Sequence, residues 1–418
     1  MTQLGSQADF SAAVGQVREA SHTLVTAGVD LQSKLLETVA TELEASLDDI
    51  LEANTLDLEA SLDMAVPDRV LDWLKLTPER LQTAAKILRR LAYLGDPRGL
   101  LLPAPSRLSK AISGYGQVVP LGVVALVYEA FPELAAIMAG LCLRTGNGLI
   151  LKGGNEASQT NQVILQALHQ ALDQLGLPQH CIFSLTEEQG DMARTWLLQE
   201  PGIDLIIPYG RPGLVQQVVR QAGVPVLPTA IGNCYLYWSA TGHLDTVTHM
   251  IIDSHRGEPD AVNAIEKVLI HRSCSPSAVV QLCHTLWDQD FEVLADGALL
   301  ADLPNVKSAT EADWHRPFLS KTVALSLVEN GPAAAAFINR HSSGHANALA
   351  TESYAESSRF TQLTCSAVVY INTSPRFVRN PAQSSSIALG MTAQRGRCSG
   401  FVGLSALLTT QHILQGLE

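Results

Sequence analysis

The sequence predicts an α/β protein with a doubly wound parallel sheet, a second α/β unit and an arm. A helical period fills the chain from Asp9 to about Leu94, buried β-branched runs then alternate with amphipathic helices, and a second alternation of this kind follows. Strands that are apolar on both faces and alternate with helices form parallel sheets with right-handed crossovers. The chain has 418 residues, of which 46% are hydrophobic, so two or three domains can each bury a core.

The opening segment is predicted to be helical throughout. Its apolar residues recur at three- and four-residue spacings, as in LQSKLLETVATELEASLDDILEAN. Thr77 is a predicted N-cap and Pro78 suits the first position of the helix that follows. A breaker cluster begins at Asp96, and the stretch 107–118 after it is predicted to be an arm.

Five apolar runs predict the strands of a nucleotide-binding-type sheet. They span 122–129, 148–154, 181–185, 203–210 and 224–238. Amphipathic helices fill the intervals, and three of them end at Gly146, Gly176 and Gly223. In such sheets, ligands bind at the carboxyl ends of the strands.

The second unit is predicted to begin with a helix over 260–266 that leads into a strand at 267–272. Helices over 277–289, 332–341 and 354–363 and strands over 322–329, 346–352 and 367–374 follow. The predicted division is therefore a helical segment and cofactor-type domain (1–106 with 119–257), a catalytic-type domain (258–374), arm elements (107–118 with 375–400) and a C-terminal helix (401–418).

Composition argues against two classes of partner. The chain carries 28 Lys and Arg residues against 41 Asp and Glu residues, a net charge of −13, which repels phosphate backbones and anionic lipids. Nucleic acid and membrane are therefore not expected partners. The first residues lack the features of a signal peptide, and the seven cysteines are scattered without a C-x-x-C pair. A reducing cytoplasm is the predicted location.

The segment Lys152-Gly153-Gly154-Asn-Glu156 is the first candidate binding motif. It joins a strand end to a helix start, where glycines let a ligand approach and free amides favour an anion. A plain strand-to-helix turn explains the same residues, and no G-x-G-x-x-G fingerprint follows any strand. Arg211 after Gly210 is a second candidate for phosphate or carboxylate. His341 and His345 stand four apart but lack a third ligand nearby in sequence, so no metal site is predicted.

Several collinear segments resemble γ-glutamyl phosphate reductase, a branch of the aldehyde dehydrogenase superfamily, over nearly the whole chain. They include VPLGVVALVYEA from Val119, LKGGNEA from Leu151, IIPYG from Ile206, GNC from Gly232 and NAIEKVLIH from Asn263. The resemblance implies an aldehyde-dehydrogenase-like fold with an oligomerisation arm, and hence a homo-oligomer. It also implies NADPH-dependent reduction of γ-glutamyl phosphate to glutamate-5-semialdehyde, with Lys152, Gly153, Gly154, Glu156 and Gly210 as cofactor-binding residues.

The resemblance breaks at the residue that carries the chemistry. In the family, a cysteine directly precedes the Asn-Ala that is Asn263-Ala264 here, and its thiolate attacks the acyl phosphate. Val262 occupies that position. Because valine offers no lone pair, the catalytic position formed by Val262 and Asn263 is expected to be inactive.

Three other segments depart from the family pattern. Glu133 stands where the family has an asparagine near the developing oxyanion, and an acidic group there opposes negative charge. Ser386-Ile387-Ala388 replaces a Glu-Ile-Gly segment that helps to hold the nicotinamide ribose, and Pro208-Tyr209-Gly210-Arg211 replaces Pro-Arg-Gly-Gly.

Three functions are consistent with these residues. The first is a non-catalytic paralogue that acts by binding, as a regulatory partner of an active reductase or as a scaffold, with or without NADPH. The second is the active family reductase. The third is different chemistry in the same site, for which His255, Glu258 and Asp260 are the nearby titratable groups.

Overall fold

The computed structural model describes residues 6–103, 112–185, 190–257, 259–300, 303, 306–382, 386–392 and 400–416. The chain divides into two compact units, and each is described by itself. The first comprises Met1–Pro228, Arg379–Leu389 and Val402–Glu418, and the second comprises Thr229–Val378 and Gly390–Phe401. None of the helices in these residues combines the length and apolar character needed to cross a lipid bilayer.

The first unit opens with helices, as predicted. They are α1 (Gln7–Thr26), α2 (Val29–Ala45), α3 (Leu47–Asp63), α4 (Asp68–Leu74) and α5 (Pro78–Tyr93). The predicted cap is confirmed, because the Thr77 side chain accepts a hydrogen bond from the Arg80 amide and Pro78 occupies the first turn. Helix α2 packs against α5, and α3 packs against a helix of the sheet domain described next.

A four-stranded parallel sheet forms the centre of the first unit. Its strands are β3 (Val123–Tyr128), β4 (Gly148–Lys152), β5 (Ile182–Ser184) and β6 (Leu205–Tyr209), in the order β5-β4-β3-β6. The helices around it are α6 (Glu133–Thr145), α7 (Ser158–Gln174), α8 (Gly190–Gln199) and α9 (Pro212–Gln221). The chain progresses outward from β3 to β5 and then returns to the other side of β3. This reversal is the topological switch point at which open α/β sheets bind ligands.

The C-terminus forms a strand, so the predicted helix over 401–418 is wrong. After β16 (Phe401–Gly403) and one short 3₁₀ turn, β17 (Leu408–Gly416) pairs antiparallel with β2 (Ile112–Pro120), which also pairs with β1 (Leu101–Pro103). Thr409, Thr410 and Ile413 are β-branched and favour this extended state. Residues 112–118 of the predicted arm therefore pair with the C-terminus, and residues 107–111 of it lie outside the described part.

A seven-stranded parallel sheet forms the centre of the second unit, in the order β11-β10-β12-β9-β8-β13-β14. Its strands are β8 (Cys234–Trp238), β9 (Ile265–His271), β10 (Glu292–Ala295), β11 (Lys307–Ser308), β12 (Thr322–Val328), β13 (Ala346–Ala350) and β14 (Val368–Ile371). Its helices are α10 (Leu244–Ser254), α11 (Pro276–Trp287), α12 (Gly297–Leu300), α13 (Glu311–His315), α14 (Gly331–His341) and α15 (Tyr354–Leu363). Separately, β7 (Thr229–Ala230) pairs antiparallel with β15 (Ala388–Thr392).

Two sequence predictions for this unit are wrong. The predicted boundary at 257/258 lies instead at Pro228/Thr229, because β8 pairs with β9 and β13 and so belongs to the second sheet. The predicted helix over 260–266 does not form. Val262 and Asn263 lie in a turn before β9, and the Val262 carbonyl accepts the Gly232 amide from outside the segment, so it is not part of a helical ladder.

Candidate functional site

A cavity of about 270 Å³ lies at the switch point of the first unit. The residues that line it are Val127, Tyr128, Glu129, Lys152, Gly153, Gly154, Asn155, Glu156, Arg194 and Leu214. They come from the carboxyl ends of β3 and β4, from the loop after β4 and from α8 and α9. The structure therefore brings four of the five predicted cofactor-binding residues together in one cavity, at the edge of the sheet where the topology predicts a ligand.

Arg211 is held by Glu129 within the chain. Its Nη2 lies 3.0 Å from Glu129 Oε2, its Nε lies 3.1 Å from Oε1, and its backbone amide also donates to Oε1. These bonds raise the pKa of Arg211. The sequence predicted a phosphate or carboxylate partner for Arg211, and in the structure that partner is the carboxylate of Glu129. Glu129 lines the cavity, and its charge is paired with Arg211.

Glu156 supports a strained residue at the end of β3. Its Oε1 accepts the Ala130 amide at 2.7 Å, and Ala130 has a φ of 59°, a left-handed value that is uncommon for a residue with a β-carbon. Burial raises the pKa of the Glu156 carboxyl. Backbone strain of this kind persists only where surrounding groups hold it, and it concentrates at functional sites.

The glycines of the cavity make room for side chains of the same chain. A β-carbon on Gly153 would meet the Asn161 amide, one on Gly154 would meet the Glu156 carboxylate, and one on Gly210 would meet Glu129. Gly210 has a φ of 146°, which also favours glycine. Internal packing therefore explains the need for glycine at these three positions. Gly210 does not line the cavity, but it packs against Glu129, which does.

Arg194 is a cavity residue that sequence reasoning missed. Its Nε and Nη2 atoms are buried and form no hydrogen bond within the described part of the chain. Lys152, the other cation of the cavity, donates from Nζ to the Gly153 carbonyl at 2.9 Å. Arg194 occurs in a short amphipathic helix with no motif around it, so only the fold places it at the switch point.

In the second unit, Val262 and two residues close to it lie at the amino ends of three adjacent strands. Val262 precedes β9, Asn233 precedes β8 and His345 precedes β13. The carbonyl of Val262 accepts the Gly232 amide at 2.9 Å and lies 3.0 Å from His345 Nε2. The Val262 side chain is 1% exposed.

Among the described cysteines, Cys234 is linked to this turn through His345. Its Sγ lies 3.2 Å from His345 Nε2, the nitrogen that also faces the Val262 carbonyl. Cys234 is fully buried, and burial raises its pKa well above the ordinary value. Burial also lowers the pKa of His345 to about 4, so the imidazole is neutral near pH 7. A neutral imidazole beside a protonated buried thiol is not an activated nucleophile pair.

Asn263 and Glu266 stabilise the backbone around the turn. Asn263 Nδ2 donates to the Pro375 carbonyl at 2.8 Å, so the amide proposed as catalytic is engaged with the protein. Glu266 is buried, and its carboxylate accepts the amides of Asn233, Phe318 and Leu319, each at 2.9 Å, as well as Lys267 Nζ at 3.0 Å.

The other predicted residues are dispersed. Glu133 forms a buried ion pair with Arg80 at 2.6 Å, so its charge is compensated and the prediction that it opposes an oxyanion loses its basis. His255 Nε2 lies 2.9 Å from the Ile265 carbonyl and its pKa is lowered by burial, Asp260 is buried, and Glu258 lies outside the described residues. His341 and His345 have different neighbours, since His341 Nδ1 faces His315 Nε2 at 3.0 Å.

Comparison with known proteins identifies the family. The aldehyde dehydrogenase family model matches residues 1–234. The chain is 43% identical to γ-glutamyl phosphate reductase 2 of Synechocystis over 92% of each chain, and 36% identical to γ-glutamyl phosphate reductase of Gloeobacter violaceus, again over 92% of each. The chain belongs to the γ-glutamyl phosphate reductase family of the aldehyde dehydrogenase superfamily.

A solved γ-glutamyl phosphate reductase has the same fold. The crystal structure of the Thermotoga maritima protein superposes with a TM-score of 0.88 at 28% identity, covering 97% of this chain and 98% of that one. The predicted aldehyde-dehydrogenase-like fold is therefore confirmed. Within this fold, the residues from Lys152 to Glu156 line the switch-point cavity of the first unit, and Asn233 and Asn263 lie at the strand ends around Val262 in the second.

Proposed function

We propose that this γ-glutamyl phosphate reductase family protein binds NADP(H) in the cavity of the first unit and does not form the family's thioester, so that it acts by binding, in a regulatory or scaffold role. The observation that carries the proposal is the turn at Val262. The side chain that the resemblance assigns to the position of the family's cysteine is a buried hydrocarbon, and burial raises the pKa of the neighbouring Cys234 thiol well above its ordinary value.

Four of the other described cysteines support the same conclusion. Cys142, Cys181 and Cys283 are buried, and burial raises the pKa of each. Cys274 follows the carboxyl end of β9 whereas Val262 precedes its amino end, which separates them by roughly 20 Å of strand. Thioester formation at the turn has no nucleophile among these residues.

The cavity fits a phosphate-bearing nucleotide. It lies at the switch point of a parallel sheet, and its volume of about 270 Å³ can hold part of such a ligand. Lys152 and the unsatisfied Arg194 guanidinium supply positive charge. NADPH supplies a hydride when it is bound. Lys152, Gly153, Gly154 and Glu156 are the residues we propose to hold it.

Two measurements test the proposal together. NADPH binding is followed by nicotinamide fluorescence, and the family reaction is assayed in reverse with glutamate-5-semialdehyde, phosphate and NADP. We expect binding without turnover. Turnover by the wild-type chain would overturn the non-catalytic reading, and absence of NADPH binding would overturn the cofactor assignment.

Restoring the family residue provides an independent test of the turn. We expect Val262→Cys to give no turnover, because a thiol there would be as buried as Val262 and next to a neutral imidazole. Its alkylation should be slower than that of the exposed Cys365, which serves as the internal reference. Near-normal turnover in this single variant would contradict our interpretation of the site.

The family reaction is the second candidate function, and Cys365 is the observation that favours it. This exposed thiol precedes β14, whose amino end lies at the same edge of the sheet as the turn at Val262. Three strand spacings, roughly 14 Å, separate the two positions. If turnover is found, its loss in Cys365→Ser but not in Cys283→Ser would identify the replacement thiol.

We also propose that the chain self-associates, as its family resemblance implies. Strand β17 is nine residues long and lies at the edge of the β1-β2-β17 sheet. No described strand of the chain covers its outer edge. A long uncovered edge supports pairing with a second chain.

A further inference from the structure

Two nitrogens of the half-buried Arg194 guanidinium are buried, and the residues described supply no counterion to it. Nε and Nη2 are shielded from solvent and lack a hydrogen-bond partner there. Placing a charged donor in such a position costs free energy unless a ligand or another group satisfies it. Because Arg194 lines the switch-point cavity, a bound anion is a natural partner.

The charges around the cavity favour an anion over a neutral ligand. Of its two carboxylates, Glu129 is paired with Arg211, and Glu156 accepts the Ala130 amide. Lys152 and Arg194 are the cations that line the cavity directly. These two positive groups outweigh the Glu156 carboxylate and suit a phosphate monoester, whose charge is close to −2 near neutral pH.

The position of Arg194 indicates which phosphate of a dinucleotide it meets. A pyrophosphate is bound by the free amides at a helix N-terminus, whereas Arg194 lies in the middle of α8, where the amides bond within the helix. Its fork of N–H groups suits a terminal phosphate, and an arginine near the ribose is the usual means of accepting a 2′-phosphate. We infer that Arg194, with Lys152, binds the 2′-phosphate of NADP(H) and thereby selects it over NAD(H).

This inference rests on the proposed function, and one binding experiment distinguishes the two. The full-length protein and Arg194→Gln are each titrated with NADPH and with NADH. We expect wild-type protein to prefer NADPH, and Arg194→Gln to bind NADPH about 10- to 100-fold more weakly, since charge-assisted hydrogen bonds are lost. NADH binding should not change.

Two further variants sharpen the result. Arg220→Gln removes an exposed arginine from the neighbouring helix α9 and should leave both affinities unchanged. Arg194→Lys keeps the charge but loses the fork, so its NADPH affinity should be intermediate. This milder change also provides the readout if the glutamine variant fails to fold.

The outcomes are separable. Equal weakening of NADPH and NADH by Arg194→Gln would place Arg194 at a shared part of the two ligands and overturn the inference, while the proposed NADP(H) site would stand. The same holds if the variant keeps its preference for NADPH. If wild-type protein binds neither dinucleotide, both the inference and the cofactor part of the proposed function are overturned.

Discussion

His345 makes the second unit sensitive to acid. Its Nδ1 faces Ser343 Oγ at 2.7 Å, and its Nε2 donates to the Val262 carbonyl. Burial lowers its pKa from 6.5 to about 4, so the unfolded chain binds a proton before the folded chain does. This contribution to stability is complete above pH 6.5 and is lost as the pH falls towards 4. We expect the free energy of unfolding to fall by about 3 kcal/mol across this window.

The measurement is urea unfolding at several pH values between 7 and 4. His345→Gln should flatten the pH dependence, whereas His249→Gln, which changes an exposed histidine on α10, should not. Asp313 does not change the stability between pH 7 and 4. The hydrogen bond from Arg316 is the main cause that lowers its pKa to about 2, so this carboxylate affects the free energy of unfolding only at lower pH. An unchanged slope in His345→Gln would refute the assignment.

Glu266 holds two strained backbone positions at once. The amides of Asn233 and Leu319, which both donate to its carboxylate, belong to residues with φ of 60° and 55°. Its removal also leaves the Lys267 ammonium in a buried position, where burial already lowers the pKa. We expect Glu266→Ala to destabilise the protein by about 3 to 5 kcal/mol, measured by urea unfolding.

The matched control for this variant is Glu292→Ala. Glu292 also pairs with a lysine, Lys307, but its side chain is 46% exposed. Solvent screens such a pair, and its loss should cost no more than about 1 kcal/mol. Similar effects of the two substitutions would show that the Glu266 carboxylate does not have the structural role described above.

At single residues, the sequence predicted positions better than contacts. The resemblance led to Lys152, Gly153, Gly154 and Glu156, which lie together in one cavity. It could not foresee that Glu133 is neutralised by Arg80, because that contact joins residues 53 apart in the chain. A pairwise contact of this kind depends on how α5 packs on α6, which no local pattern encodes.

At the level of helices and strands, buried runs were predicted well and polar ends were not. Strands such as β3 are apolar on both faces, which is a strong local signal. The 260–266 turn and β17 were both predicted as helices because their apolar residues fit a helical spacing. In each case, hydrogen bonds to distant segments decide the conformation, from Gly232 in one and from β2 in the other.

The register of β17 predicts that proline destabilises the protein to different extents at two adjacent positions. Val118 lies opposite Thr410, and its backbone N–H and C=O groups form hydrogen bonds on the side of β1. Because successive residues of an antiparallel strand bond to alternate sides, the backbone groups of Gln117 face those of Gln411 on β17. Gln411→Pro removes a ladder donor and should destabilise the first unit by roughly 1 to 3 kcal/mol. Thr410→Pro removes an outward N–H and should cost less. Urea unfolding compares the two, and equal losses would contradict the strand assignment.

For the molecule as a whole, two α/β units were predicted, but the boundary was misplaced by one strand. The run that ends in β8 reads as continuous with the first sheet in sequence, and its sheet is fixed only by pairing with β9 and β13. The parallel pairing of distant strands is a property of the assembled sheet. This limit on sequence reasoning also applies to association between chains, where the pairing partner belongs to another molecule.

Association through the edge of β17 is testable by mass. One chain is 44.8 kDa, and light scattering during size exclusion should give a multiple of that value for the wild-type protein. Because the Thr410 amide points away from β2, Thr410→Pro removes a donor from the outer edge while the ladder to β2 remains. We expect this variant to shift towards the single-chain mass. A wild-type monomer, or an oligomer that Thr410→Pro leaves intact, would show that the β17 edge does not hold the chains together.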